Sequence, residues 1–156
     1  MKRYIKRDKS AENNLFLIYD ELGLELYRVF RQKNNVVLSD TEGKKLLKIK
    51  TLPLPKLCAY SISDGKNSIK LIINPQKCSC GFYGTPWQIR GELFSGSFDI
   101  IDADNSLVCS HERSFSNGKS CYLAEIESSH NELLCLGTAV CADIRQKADK
   151  LCVQTV

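Results

Sequence analysis

The stretch that decides the fold is NELLCLGTAVCADIRQKADK, residues 131–150. It lacks the alternation of apolar and polar residues that a strand shows. Its three basic residues all lie in the last six positions, where positive charge stabilises the C-terminal end of a helix. The polar residues just before it, 128–131, offer side chains for an N-cap. The sequence therefore predicts a helix from about residue 132 to residue 150.

The first three turns of this helix are apolar on every side, from Leu133 to Ala142. A helix that is apolar all round is enclosed either by protein or by lipid. A membrane span needs about 20 apolar residues, roughly twice the length of this run. Protein is therefore expected to enclose the helix, and the rest of the chain must supply the enclosure.

Most of the remaining chain consists of short segments that alternate apolar and polar residues between turn residues, as strands of a half-buried sheet do. Eleven or so such strands around one buried helix predict a mainly β (α+β) protein in which a barrel or strongly curled sheet wraps the helix. The predicted strands are 15–20, 24–30, 34–40, 44–50, 58–63, 68–73, 81–84, 87–94, 97–102, 106–112 and 120–126.

Several turns between these strands have recognisable chemistry. Asp64-Gly65 and Asn117-Gly118 are typical of type I′ hairpin turns. A weak internal repeat places Asp20–Gly23 and Asp40–Gly43 between pairs of strands, with Asp102–Asn105 as a looser third copy. In each copy the Asp side chain is expected to cap the turn, and the fourth residue to adopt the left-handed conformation.

The chain has the length of one domain, residues 1–156, and its composition is that of a globular protein, with 43% hydrophobic and 26% charged residues. No signal peptide is apparent, because the apolar stretch 15–19 behind the basic start is too short for one. A soluble, cytoplasmic protein is expected, and its eight cysteines are expected to be thiols. Four of them have apolar neighbours and are predicted to be buried: Cys109, Cys121, Cys135 and Cys141.

Cys78-Ser-Cys80 is a candidate metal site, with Cys58 as a possible third ligand. In a strand the first two thiols would point to the same side and could share a metal ion. The spacing is not the C-x-x-C of a zinc knuckle, however, and no second pair follows. The favoured interpretation is a thiol pair near a strand end, and no metal site is predicted.

Enzymatic chemistry finds little support. There is no nucleophile elbow, no phosphate-binding glycine loop and no paired carboxylate motif. His111 and His130 are each expected to be surface or cap residues, since neither has an identifiable orienting partner. Trp87 is expected in the core or at the barrel rim, and no basic face studded with aromatic residues indicates nucleic-acid binding. We expect no enzyme, no cofactor and no nucleic-acid partner.

The basic residues are unevenly distributed. Residues 1–78 hold 16 basic and 8 acidic side chains, whereas residues 79–156 hold 6 and 10. On the predicted strand 44–50, alternation places Lys44, Lys48 and Lys50 on one side and Lys45 on the other. Arg28 and Arg31 lie close by in sequence. These residues indicate either a surface for an anionic ligand or simply lysines that keep a barrel soluble and discourage edge pairing.

The order of these elements resembles the LURP-one-related family, including its small bacterial members, which belongs with the tubby C-terminal and phospholipid-scramblase domains. The likeness covers about residues 4–146 and implies a closed antiparallel barrel of about twelve strands around a C-terminal hydrophobic helix. The segments that carry it are IYDELGLELYRV (18–29), LSDTEGKKLLKI (38–49), YSISDGKNSIKLI (60–72), WQIRGELFSGSFDIID (87–102), YLAEI (122–126) and LLCLGTAVCADI (133–144).

The resemblance also bears on function, because tubby domains bind phosphoinositide headgroups through basic barrel residues and scramblases act at membranes. It implies a non-catalytic barrel that binds anionic phospholipid, or another acidic partner, peripherally at a membrane surface. The alternative is a protein-interaction or structural scaffold that binds no lipid. A carrier of an apolar ligand is disfavoured, because the helix should fill the barrel. The candidate ligand-binding residues are Lys44, Lys48, Lys50, Arg28 and Arg31.

Overall fold

Twelve strands precede one long helix in the computed structural model, which describes residues 1–116 and 118–154, with side chains described at 1–115 and 118–144. Two single turns of 3₁₀ helix lie at Leu93–Ser95 and Ser129–Asn131. The other elements are β1 (Lys2–Arg7), β2 (Asn14–Tyr19), β3 (Glu25–Gln32), β4 (Asn35–Asp40), β5 (Lys45–Leu52), β6 (Cys58–Ser63), β7 (Ser68–Asn74), β8 (Ser79–Tyr83), β9 (Gln88–Glu92), β10 (Ser97–Ile101), β11 (Leu107–Ser116), β12 (Lys119–Ile126) and α1 (Glu132–Gln154).

The strands form one antiparallel sheet that curls into a nearly closed barrel. Its order runs from β8 down to β1 and then from β12 down to β9, so β1 pairs with β12. The two ends of this order, β8 and β9, are neighbours across a seam. The prediction of a twelve-stranded antiparallel barrel around a C-terminal helix is confirmed. The strand absent from the sequence prediction is β1, whose sequence KRYIKR carries too many charges to show an apolar face.

The helix α1 occupies the interior of the barrel. Leu136 and Val140 are 0% exposed and belong to one cluster with the inward-facing side chains of the strands. α1 begins at Glu132, as predicted, but ends at Gln154 rather than near residue 150. No glycine or proline stands between 145 and 154 to stop it. Among the described residues, no helix is long and apolar enough to cross a bilayer.

The two ends of the barrel are defined by what α1 contacts there. At the upper end, Arg3 of β1 forms an ion pair with Glu132, the first residue of α1, at 2.6 Å between Arg3 Nε and Glu132 Oε1. Both side chains are largely buried. Burial and the neighbouring Glu132 carboxylate raise the pKa of Tyr27 to about 12. At the lower end, Asp143 of α1 meets His111 of β11.

The internal repeat forms hairpin turns, as predicted, and these turns lie at the upper end. Asp20 Oδ1 accepts hydrogen bonds from the backbone N–H groups of Leu22 and Leu24, both at 2.9 Å. Asp40 makes the same two bonds to the residues two and four positions further on. The glycine three residues after each Asp has a φ of 82° or 90°, and Asn105 takes that place in the third copy with a φ of 65°.

The prediction of a type I′ turn at Asp64-Gly65 is wrong. The connection is four residues long, 64–67, and only Gly65 has a positive φ, whereas a type I′ turn needs two such residues. Asp64 instead accepts a hydrogen bond at 2.7 Å from the backbone N–H of Asn67, which holds the wider loop together. The second predicted turn rests on Asn117, which lies outside the described residues.

Candidate functional site

A groove of about 500 Å³ lies on the outer face of the barrel, across β3 to β7. The register explains its shape, because β6 places short serine side chains opposite the lysines of β5: Lys48 pairs with Ser63 and Lys50 with Ser61. Val37 of β4, buried at 3% exposure, forms part of the floor. We call this surface the basic groove, and its polar lining comprises Gln32, Lys45, Lys48, Lys50, Ser61, Ser63, Asp64 and Ser68.

The predicted alternation along β5 is wrong at its beginning. Lys45 and Leu47 pair with consecutive residues of β4, so Leu46 between them is an extra residue that forms a bulge. A bulge of one residue reverses the faces of the residues that precede it. Lys45 therefore lines the groove together with Lys48, contrary to the prediction. Lys44 lies in the turn before β5 and is not among the groove residues.

The two arginines of the predicted site are separated from the groove and from each other. Arg28 pairs with Ser39 across the β3–β4 ladder, whereas Arg31, three residues further on, lies on the opposite face of β3. Arg28 Nε contacts Glu25 Oε1 at 2.7 Å, and this carboxylate raises the pKa of the guanidinium. Of the five residues predicted from the sequence, the structure brings only Lys48 and Lys50 into the groove.

The prediction that His111 is a surface or cap residue is wrong. The residue is 2% exposed, and its ring stacks between two aromatic rings of neighbouring strands. The centroid of Phe98 lies 4.7 Å away on one side and that of Tyr122 lies 5.1 Å away on the other. His111 Nδ1 lies 2.7 Å from the carbonyl oxygen of Gly96. Because a carbonyl only accepts, Nδ1 carries a hydrogen and donates it.

The other ring nitrogen of His111 faces Asp143 of α1, at 3.3 and 3.4 Å from the two carboxylate oxygens. Burial raises the pKa of the Asp143 carboxyl, and the hydrogen bond and charge of His111 oppose that shift. Both side chains are 0% exposed, so the pair faces no cleft and instead ties α1 to the barrel wall. A sequence signal existed, because Asp143 directly follows the apolar run of a helix predicted to be enclosed, and a buried carboxylate needs a partner.

His130 behaves as the sequence predicts. It is exposed at the start of the segment that leads into α1, and its backbone N–H donates to Ser128 Oγ at 3.3 Å. Trp87 is also where it was expected: it is 8% exposed and packs edge-on against Phe82 beside the seam, with 6.0 Å between the ring centroids.

The seven cysteines in the described part of the chain are thiols, and the four predicted to be buried are buried. Burial raises the pKa of the Cys141 thiol. Cys78 lies in the turn before β8 with a φ of 49°, and Cys80 is the second residue of that strand, so the two form the thiol pair near a strand end that the sequence favours. No group of three or more His, Cys, Asp or Glu residues in the described regions is arranged to hold a metal ion. Cys152 lies outside the regions with described side chains.

Comparison with known proteins identifies the family. The chain is 24% identical over 148 residues to the uncharacterized protein YxjI of Bacillus subtilis (strain 168), covering 90% of this chain and 91% of that protein. An X-ray structure of a protein from Arabidopsis thaliana shares the fold, with a TM-score of 0.59 at 13% identity over 92% of this chain and 90% of the other. The model of the LURP-one-related family matches residues 1–143. The chain therefore belongs to the LURP-one-related family.

Proposed function

We propose that this protein is a non-catalytic barrel that binds the phosphate groups of anionic lipid headgroups at a membrane surface, through the basic groove. The observation that carries the proposal is the combination of three lysines with three serines in one depression of about 500 Å³. Ammonium and hydroxyl groups both donate hydrogen bonds, which phosphate oxygens accept. The volume lies within the range of small-ligand sites.

The strength of such binding follows from the charges. Each lysine near an anionic membrane contributes on the order of 1 kcal/mol, so Lys45, Lys48 and Lys50 together contribute about 3 kcal/mol, or about a hundredfold in affinity. Asp64 at the rim opposes this, since hydrogen bonds from its own loop lower the pKa of its carboxyl and keep it ionised. Binding should therefore be peripheral, reversible and weaker at high salt.

Two features support a binding role rather than a catalytic one. The imidazole of His111 is enclosed by Phe98, Tyr122 and α1, where no substrate reaches it. The other imidazole, at His130, is exposed, and in the described residues no second titratable group is hydrogen-bonded to it. The barrel interior is filled by α1, which also disfavours a carrier of apolar ligands.

The test is co-sedimentation of the full chain with vesicles of phosphatidylcholine alone or mixed with phosphatidylglycerol, at low and high salt. Lys48→Glu/Lys50→Glu should bind the anionic vesicles at least about a hundredfold more weakly, because two attractions become two repulsions. Lys44→Glu/Lys66→Glu is the matched control, since it makes the same charge change in upper-end turns outside the groove. If both double variants lost vesicle binding equally, or if Lys48→Glu/Lys50→Glu lost none, the groove would not be the binding site.

A specific observation also favours a second candidate, a protein-interaction scaffold. β8 and β9 are the terminal strands of the sheet order, so each has one edge that is not part of the described ladder. Such edges are templates for pairing with another chain. Binding to neither kind of vesicle, together with capture of a protein partner that is lost on introducing proline into β9, would favour the scaffold.

A further inference from the structure

The two ends of the barrel differ in charge. Because the sheet is antiparallel, successive connecting segments alternate between the two ends. The charged side chains of an end are those of its connecting segments and of the element residues that directly adjoin them. Among the described residues, the upper end then holds ten acidic and four basic side chains, whereas the lower end holds three acidic and six basic ones. This contrast follows from the fold and not from the two halves of the sequence, because both halves contribute loops to both ends.

The lower end also carries a projecting arm. β12 pairs with β1 only as far as Tyr122, and β11 pairs with β10 only as far as His111. β11 and β12 nevertheless continue to pair with each other as far as Ser116 and Lys119. At 3.4 Å per residue, this two-stranded arm reaches about 10 Å past its last pair with β1.

The arm presents an aromatic side chain to solvent. Phe115 is 78% exposed, although its partner position, Ser120, lies on a regular ladder. About halfway round the same end, Leu54 in the β5–β6 connection is 41% exposed beside Lys56. Between these apolar points lie further lysines of the lower loops, Lys9 and Lys33.

We infer that the lower end of the barrel is the face that lies on an anionic bilayer, with Phe115 inserted into the headgroup region as an apolar anchor. The choice of a membrane as the target rests on the proposed function, whereas the face and the anchor come from the charge distribution and the arm. Exposed apolar side chains among lysines suit the interface of a bilayer, which takes up aromatic rings and attracts positive charge.

The upper end provides the contrast that makes this inference testable. Leu22 is 93% exposed there and Leu24 is 63% exposed, so that end displays even more apolar surface. Its excess of carboxylates should be repelled by an anionic bilayer, whatever its apolar content. Leu22 is therefore a matched control for Phe115: both are exposed apolar residues near the tips of hairpins, at opposite ends of the molecule.

The experiment uses single tryptophan reporters in the full chain. Phe115→Trp should shift its emission to shorter wavelength when vesicles containing phosphatidylglycerol are added, and Leu22→Trp should not; Trp87, being buried, is a constant background. Phe115→Ser should bind these vesicles about tenfold or more weakly than the unaltered chain, since it loses the aromatic ring that would insert into the headgroup region. Leu22→Ser should bind them as well as the unaltered chain does.

The inference is overturned if Phe115→Trp shows no shift, if Leu22→Trp shifts equally, or if Phe115→Ser binds as well as the unaltered chain. It is also overturned if the protein prefers double-stranded DNA to the vesicles. Loss of binding in Lys48→Glu/Lys50→Glu without any effect at Phe115 would leave the proposed groove standing and refute this orientation. A Phe115 effect without a groove effect would refute the groove and support docking by the lower end.

Discussion

Replacing Gly137 by alanine should destabilise the protein, although alanine is the better helix former. Gly137 lies where α1 packs tightly against β5 and β6 of the barrel wall. A Cβ atom built there would lie 2.6 Å from Ile62 Cγ2 and 2.8 Å from Leu47 Cδ2. Carbon atoms in contact are normally at least about 3.5 Å apart, so the neighbours would have to move by about 1 Å. Both neighbours are buried, at 0% and 2% exposure, and have little room to do so.

The expected magnitude follows from two opposing contributions. Alanine in a helix interior gains about 1 kcal/mol over glycine. Overpacking of a filled core costs typically about 1–3 kcal/mol. Gly137→Ala should therefore lower the free energy of unfolding by up to about 2 kcal/mol, which corresponds to a fall of about 4–8 °C in Tm for a chain of this length.

The effect of Gly137→Ala in an Ile62→Ala background tests this contact more directly than the single variant does. In Ile62→Ala, the nearest methyl group is gone, and the end of the Leu47 side chain can turn into the vacated space. Gly137→Ala should then stabilise the protein by about 1 kcal/mol, because only the helix contribution remains. The measurement is urea unfolding followed by circular dichroism for the four members of the cycle. An equal effect of Gly137→Ala in both backgrounds would refute the close contact between helix and wall.

The other predictions concern the same core. Leu136→Asp places an unpaired charge at a fully enclosed position and should abolish cooperative unfolding; a sharp thermal transition in this variant would contradict the architecture. Asp143 binds its proton more tightly when folded than when unfolded, so it contributes a loss of stability as the pH rises above about 4. In Asp143→Asn this dependence should be absent, and parallel pH profiles of urea unfolding for the two proteins would refute it. Cys135 and Cys141 should resist a thiol reagent in the native protein. The hydrogen bond with Cys109, together with burial, raises the pKa of the Cys135 thiol, and burial raises that of Cys141. Native titration should therefore count fewer than the eight thiols found in urea. Rapid labelling of all eight would show that α1 is exposed.

The features that the sequence predicted correctly depend on neighbours close along the chain. The turn at Asp20 is an example, because its two capping hydrogen bonds join residues at most four positions apart. The enclosure of α1 follows in the same way from one apolar run, Leu133 to Ala142. This run leaves the helix without a polar side that could face water. The strand β1 was not predicted, because its inward-facing Arg3 is paired with Glu132, a residue far away in the sequence.

The contact between His111 and Asp143 could not be predicted from residues close along the chain. The two residues are 32 positions apart and meet only because the barrel closes around α1. A local signal for the histidine existed, because His111 lies two residues after Cys109, which is predicted to be buried, and side chains two positions apart in a strand share a face. Nothing near His111 in the sequence indicates that its partner would be a carboxylate of α1.

The basic groove depends in part on the sequence and in part on the tertiary structure. The sequence alone places Lys48 and Lys50 on one side of a strand, because side chains in a strand alternate with a period of two. It also determines the start of the helix and the Asp-x-x-Gly turns, and it carries the resemblance to the family. The third lysine of the groove, Lys45, joins Lys48 and Lys50 because of the pairing with β4. One extra residue there, Leu46, turns Lys45 to the outer face. The serines that deepen the groove, Ser61 and Ser63, come from a different strand and depend on the β5–β6 register. Register and bulges arise from contacts between strands, and the free energy that selects them is that of burying the inner face around α1, which exists only once the barrel has formed.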